Sequence, residues 1–196
     1  MAFTALPTQA QIERYLGGGR LYMSLYQADG ITLDPEFEVG EVKEFSLKID
    51  PETKEAMSHD AALVKEVDEV VVSVKGSGSY QTTNISTNNK AIASLGNVTS
   101  EVFALAAILP DGTPATAETT ITKIEAGKKP MTHARLRFVG AQATGIKKPV
   151  AIIHKASITS DGNIPYQMQD FQSLGFNLKI LETTLGFYNE YLMDVV

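Results

Sequence analysis

The side chains of this chain that could carry out chemistry are scattered along it. The three histidines, His59, His133 and His154, could bind a metal or act as general bases, but no second ligand stands at a metal-binding spacing such as His-x-x-x-His. The chain has no cysteine, which removes thiolate catalysis, disulfides and cysteine-ligated metal sites. We therefore interpret the histidines as surface or strand residues and expect no metal and no cofactor.

Two glycine-containing segments are candidates for a catalytic or a phosphate-binding loop. Gly76-Ser77-Gly78-Ser79 lacks the strand before and helix after that a nucleophile elbow requires, because strand-like residues follow it. The run from Gly17 to Gly19 precedes a predicted strand, whereas a phosphate-binding loop opens a helix and carries a lysine. We predict a strand segment with a close backbone approach for the first and a helix end for the second.

Charge is polarised along the sequence. The stretch from Asp34 to Glu69 holds 12 acids and 4 lysines, whereas the stretch from Lys123 to Lys155 holds 8 basic residues against Glu125 alone. Exposed carboxylates lack the burial that separates the pKa values of a catalytic pair, so we predict that the chain is not an enzyme. Opposite charges on two regions favour head-to-tail contact between identical copies, while the alternative is that both are ordinary solvated faces.

The basic stretch contains two similar turns, each with a lysine pair followed by a proline. Their lysines form a candidate docking surface for an acidic partner: Lys128, Lys129, Lys147 and Lys148. Phosphate or nucleic-acid binding is the alternative. It is disfavoured because Phe138 is the only Phe, Tyr or Trp between Lys128 and Lys155, and because the pI of the chain is about 5.1.

These residues must be positioned by a chain that is mainly β. Apolar residues recur at every second position, which is typical of half-buried strands. In the cleanest case, Phe45, Leu47 and Ile49 alternate with polar residues. The predicted strands are 21–27, 44–50, one beginning at Val70, 102–109, 119–125, 133–139, 150–159 and 176–182.

Two helices are predicted against this β background. The first covers residues 8–16, where a capping box precedes it and the glycine run ends it. The second covers residues 86–95, with Ser86 or Thr87 as the N-cap and Gly96 as a left-handed C-terminal stop. We expect the second helix to cover an open side of the sheet or barrel.

A long charged connection, residues 51–68, separates the second and third predicted strands, and we call it the arm. A hairpin loop needs only a few residues, so a connection of this length is usually functional or disordered. We predict that the arm extends from the body and becomes ordered on a partner. The candidate contact residues of the arm and its boundary are Glu52, Lys54, Glu55, His59, Asp60, Lys65, Glu66, Asp68 and Glu69.

The whole chain of 196 residues is predicted to form one domain. Its expected fold is a β-sandwich or barrel of two packed antiparallel sheets, flanked by one α-helix and carrying the extended arm. The N-terminus has no positively charged region followed by a long apolar core, and no later stretch is long and apolar enough to span a membrane. We therefore expect folding in the cytosol and no membrane partner.

Several of these segments together resemble the major tail tube proteins of long-tailed bacteriophages. The matching segments are Gly40 to Leu47, Glu52 to Ser58, Lys65, Val70 to Val74 and the polar-capped helix that follows. The resemblance covers about half of the chain, from Leu16 to Leu95. The C-terminal half agrees only in being β-rich and of suitable length.

The resemblance implies a structural virion protein of the phage tail, assembled in the host cytoplasm. Its copies would form hexameric rings that stack into a tube, and the lumen would conduct DNA at genome ejection without sequence-specific binding. The arm would reach an adjacent subunit or ring, other tail proteins would be partners, and acidic residues would line the lumen. A related fold forms the tubes of contractile tails and of type VI secretion, so these remain alternatives.

Two further functions stay open at this point. One is another virion β-sandwich component, such as a tail terminator or decoration protein, which would form closed rings or remain monomeric. The other is a ligand-binding β-sandwich, for instance for carbohydrate. Sugar platforms need exposed rings, and the chain has no tryptophan, so Tyr22 and Tyr26 are its best candidates, with a barrel-packing role as the alternative for both.

Overall fold

The computed structural model describes residues 14–58, 65–129, 131–144, 147–162, 164 and 172–194. Within these residues the fold is mainly β, with two antiparallel sheets of seven and two strands and a single helix. The elements are β1 (Arg14–Leu25), β2 (Phe37–Ser58), β3 (Lys65–Thr82), α1 (Thr87–Ala93), β4 (Asn97–Phe103), β5 (Thr119–Glu125), β6 (Thr132–Thr144), β7 (Lys147–Ser160), β8 (Leu174–Ile180) and β9 (Tyr188–Asp194). No helix in the described ranges is long and apolar enough to cross a membrane.

The larger sheet closes on itself. Its strand order is β6-β1-β2-β3-β8-β7-β9, and an additional pairing of β6 with β7 joins the two sides into a barrel. One edge of β7 pairs with β6, while the other pairs with β9 from Lys147 to Ile153 and with β8 from Ala156 to Ser160. Closure removes strand edges wherever the ring is complete.

The barrel interior is filled by the inward-facing residues of the period-two pattern. Leu21 and Met23 of β1 are fully buried, as the alternation predicts, and Ile153 is buried with them. Tyr80 and Phe176 stack across β3 and β8 with ring centroids 4.8 Å apart. Burying a large apolar side chain contributes about 1.5–3 kcal/mol, so these residues form the principal stabilising core.

The helix α1 lies where the sequence predicts it and covers the end of the barrel at which β2 begins. Ser86 is its N-cap, and the Ser86 side chain accepts a hydrogen bond from the Asn89 backbone N–H. The expected left-handed stop at Gly96 is wrong, because Leu95 adopts that conformation, with φ 49°. Gly96 instead allows close packing, since a Cβ there would lie 3.0 Å from the Glu125 carbonyl oxygen.

The predicted end of the N-terminal helix is also wrong. Residues 14–16 and the glycine run belong to β1, while residues 8–13 lie outside the described residues. Gly19 pairs with Gly140 of β6, and a Cβ on Gly19 would lie 2.4 Å from the Val139 carbonyl oxygen. Gly19 therefore allows β1 and β6 to approach closely, and it does not end a helix.

Two strand predictions fail in the C-terminal half, while those for 133–139, 150–159 and 176–182 match β6, β7 and β8 with bounds that differ by up to five residues. The strand predicted at 102–109 is displaced: β4 spans Asn97–Phe103, and the chain then turns through Ala106, whose φ is 67°. The strand β9 was missed, because Tyr191, Leu192 and Met193 are consecutive and exposed and give no alternation. In contrast, the prediction for 119–125 matches β5 residue for residue.

Candidate functional site

The arm is built as a continuation of two barrel strands. In the barrel, β1 pairs with β2 only from Phe37 to Val42, and β8 pairs with β3 only from Gly76 to Thr82. Beyond Gly76, β2 and β3 pair only with each other, to the last pair of Ser58 with Lys65. The predicted arm is therefore in the right place, but its described part is a paired hairpin and not an unpaired connection.

The candidate charged residues of the arm fall on both of its strands. Glu52, Lys54 and Glu55 are exposed on β2, and Glu69 is exposed on β3 directly opposite Glu55. Residues Lys65, Glu66 and Asp68 also belong to β3, whereas His59 and Asp60 lie outside the described residues.

Glu52 marks the base of the arm, where the hairpin leaves the barrel. Its carboxylate accepts hydrogen bonds from Lys75 Nζ at 3.1 Å and Ser73 Oγ at 2.9 Å. These bonds, that from Lys75 foremost, hold the pKa of Glu52 below its ordinary value. The pair is exposed, so it fixes local geometry and adds little to stability.

Just past the arm, β3 exposes apolar side chains that the charge pattern alone did not single out. Val70, Val71, Val72 and Val74 are between 42% and 55% exposed. The register shifts between Glu52 and Thr53, which leaves Val72 as a bulge. An isolated two-stranded hairpin is marginally stable in water, and exposed apolar strand edges readily pair with another chain.

A second apolar surface lies at the mouth of the barrel. Phe45 of β2 stacks on Phe138 of β6 with ring centroids 4.3 Å apart, and Leu47 lies beside them. These residues and the exposed Tyr191 and Leu192 of β9 line a cavity of about 550 Å³. The apolar face predicted for residues 44–50 therefore packs on the core at Phe45 and Leu47 but is exposed at Ile49.

The predicted basic docking surface is divided between two places. Lys128 and Lys129 lie in the turn after β5, where the Lys129 N–H donates to the Leu95 carbonyl oxygen at the end of α1. Lys147 and Lys148 begin β7 and pair with the end of β9. The turn leads to Thr132 of β6, which pairs with Ile158 of β7. Ile158 lies ten residues beyond Lys148, so the two lysine pairs are roughly 33 Å apart along β7.

A basic groove that sequence reasoning missed lies on the outer face of β1, β2 and β6. We call it the glycine groove; its cavity volume is about 520 Å³. Its lining includes Gly18, Arg20, Lys43 and Lys148, with Glu41 as the acid among the lining residues. The glycine run was the available sequence signal, but its partner strands were needed to show that it lies beside these cations.

The two tyrosines weighed as a sugar platform lie beside cations on the outside of the barrel. The Arg137 guanidinium lies 4.2 Å from the Tyr22 ring centroid, and Lys155 Nζ lies 4.8 Å from that of Tyr26. Arg137 also donates two hydrogen bonds to Glu36, which hold the pKa of Glu36 below its ordinary value. These contacts give the rings a structural role that needs no bound sugar, though neither ring packs in the core.

Of the three histidines, the structure describes His133 on β6 and His154 on the neighbouring strand β7. His133 Nδ1 lies 3.1 Å from Ser157 Oγ, and His154 is buried on β7 with no hydrogen-bond partner for Nε2 among the described atoms. His59 lies outside the described residues. Within the described part of the chain no three His, Cys, Asp or Glu side chains are grouped so that they could hold a metal ion.

No protein-family model matches the chain, and no curated protein matches it. The surfaces that the described structure leaves open are the arm, the strand edges, the apolar cavity beside Phe45 and the glycine groove.

Proposed function

We propose that the chain is a structural subunit of a phage tail tube. Copies assemble into hexameric rings, and the rings stack into the channel through which DNA is ejected. The proposal is supported by the resemblance of residues 16–95 to major tail tube proteins and by one structural observation. That observation is the β2–β3 hairpin, which leaves the barrel with exposed valines and without a further partner among the described strands.

The physical argument concerns where the strand edges are left open. The barrel is closed by the pairing of β6 with β7, whereas the hairpin beyond Gly76 and the outer edge of β9 lack a neighbour among the described strands. Backbone groups on such edges are satisfied when a strand of another copy pairs with them. Different surfaces then meet in each contact, and contacts of this kind build rings or filaments.

The charge of the chain also fits a channel for DNA. The formal net charge is −6, and the acids are concentrated around β2 and the arm. A wall of negative charge repels phosphates, so DNA passes without being held by the phosphate contacts that dominate protein–DNA affinity. No specific observation favours the tail terminator, decoration or sugar-binding alternatives over the tube.

Shortening the hairpin tests the proposal. Glu52 and Ser73 are direct cross-strand partners, so deleting Thr53–Val72 and joining them through Asn-Gly closes a tight hairpin at the barrel. We expect wild-type protein to form rings or tubes by negative-stain electron microscopy and light scattering. The shortened chain is expected to stay monomeric, with β-sheet circular dichroism reduced only by the loss of the hairpin strands.

The two ways in which this experiment can fail have different meanings. Tubes formed by the shortened chain would remove the arm from the assembly mechanism. Wild-type protein that remains monomeric at high concentration would contradict the proposed function itself.

A further inference from the structure

We propose that the glycine groove of one copy is the docking site for the arm of a second copy. In this contact the carboxylates of Glu55 and Glu69 face the ammonium groups of Lys43 and Lys148. The inference rests on the proposed function, because it names the partner surface that the arm binds when copies assemble.

The shape of the groove follows from a missing side chain. Period-two alternation places Gly18 on the same outer face of β1 as Arg20 and Tyr22. Among the described atoms outside its chain neighbours, a Cβ on Gly18 would meet the Val42 carbonyl oxygen at 3.4 Å and no other atom within 4 Å. The floor between the cations is therefore strand backbone, and another chain can approach it closely.

The charge of the groove selects an acidic partner. Its lining residues include three cations (Arg20, Lys43, Lys148) and one acid (Glu41), a net charge of +2. Arg20 is 3.5 Å from Glu38, whereas neither Lys43 nor Lys148 has an ion-pair partner among the described acids. Two lysines on the rim are thus available to a carboxylate from outside.

The arm and its boundary residue Glu69 supply the complementary charge. From residue 51 to residue 69 there are six acids and two lysines, a net charge of −4 with histidine neutral. Glu55 and Glu69 are directly opposite in the ladder, which places both carboxylates on one face of the hairpin. A pair of cations on a partner surface can therefore face both carboxylates at once. The exposed Tyr191, Leu192 and Met193 of β9 are uncharged, so they complement the cations of the groove less well than the arm does.

The arm that fills the groove must belong to another copy. Lys43 and Glu55 lie on the same strand, twelve residues apart, which separates them by roughly 40 Å in an extended chain. The arm of a copy therefore points away from its own groove. Each contact joins an arm to a groove and leaves one of each free, so the association is head to tail and can close into rings or propagate.

Paired charge reversals test this contact. Variant A carries Lys43→Glu and Lys148→Glu, and variant B carries Glu55→Lys and Glu69→Lys. Each variant alone brings like charges together at every contact, and we expect the concentration needed for assembly to rise by about tenfold or more. In an equimolar mixture every A–B contact again joins opposite charges, and assembly is expected to return. Light scattering and electron microscopy measure both.

Controls separate docking from folding. All variants should keep the wild-type melting temperature, because the substituted side chains are exposed or half-buried. Lys128→Glu combined with Lys129→Glu makes the same charge change at the other lysine pair and is expected to assemble like wild type. Gly18→Met is expected to fill the groove and block assembly with the barrel intact.

Each outcome decides one proposal. If wild-type protein assembles and variant A assembles as readily, the groove is not the docking site while the proposed tube function stands. A mixture of A and B that fails to assemble, when the wild type does, also overturns the contact. Wild-type protein that never assembles overturns the proposed function, and the docking inference fails with it.

Discussion

Adjacent residues in β1 differ sharply in what a side chain would meet. A Cβ on Gly19 would lie 2.4 Å from the Val139 carbonyl oxygen and 2.7 Å from the Phe138 ring, whereas the nearest atom to a Cβ on Gly18 is at 3.4 Å. Gly19→Ala must displace backbone or a core ring, and we expect a loss of about 1–3 kcal/mol in the free energy of unfolding.

Gly18→Ala is the matched control for this substitution. It makes the same change one residue earlier, and its unfolding free energy is expected to stay within about 1 kcal/mol of wild type. Urea unfolding followed by circular dichroism measures both variants. Equal stabilities for the two would show that β6 does not approach β1 as closely as the distances at Gly19 require.

Single residues also show what local sequence can predict. The inward positions of Leu21 and Met23 follow from alternation along one strand, and the structure confirms them. The role of Gly19 depends on β6, which lies more than a hundred residues later in the chain. Gly96 was misread for the same reason, because its close contact is with the backbone of Glu125.

Among the elements, α1 is attached to the barrel by a buried amide. The Asn89 side chain donates to the carbonyl oxygens of Val39 at 2.9 Å and Asn84 at 2.7 Å. Asn89→Ala removes both bonds in a buried site, and we expect the free energy of unfolding to fall by about 1–3 kcal/mol. Asn88→Ala, at the exposed neighbouring position, should change it by less than about 0.5 kcal/mol. Thermal unfolding compares the two, and similar losses would contradict this role for Asn89.

The arm was predictable as an element in position but not in form. Pro51 and the charged residues after it have low strand propensity, so local pattern favours an unpaired connection. The ladder nevertheless continues from the barrel, because β2 and β3 stay paired, through two register shifts, to Ser58 and Lys65. The charge pattern of the sequence identified the acidic arm. The glycine groove could not be found in this way, because it forms between strands that are distant in the sequence.

At the scale of the whole molecule, closure of the barrel concentrates open edges on a few segments. Where β6 meets β7 the ring is complete, whereas the parts of β2, β3 and β9 that extend past their neighbours keep a free edge among the described strands. Soluble proteins commonly protect such edges with lysine or proline. The edge of β3 instead exposes Val70 and Val74, which suits a surface that is covered on assembly.

Substituting lysines for the exposed valines on the β3 edge should prevent assembly without lowering the stability of the subunit. Val70 and Val74 are 53% and 42% exposed, so Val70→Lys with Val74→Lys should change the unfolding free energy of the monomer by less than about 1 kcal/mol. In an assembly the same lysines would be desolvated at the contact, and we expect rings and tubes to be lost. Ile31→Lys, at a site that is 81% exposed on a loop away from the arm, is the control that should still assemble. Light scattering across a concentration series distinguishes the cases. If the double variant assembles like wild type, the valine edge of β3 remains open to solvent and the contact between copies must be made elsewhere.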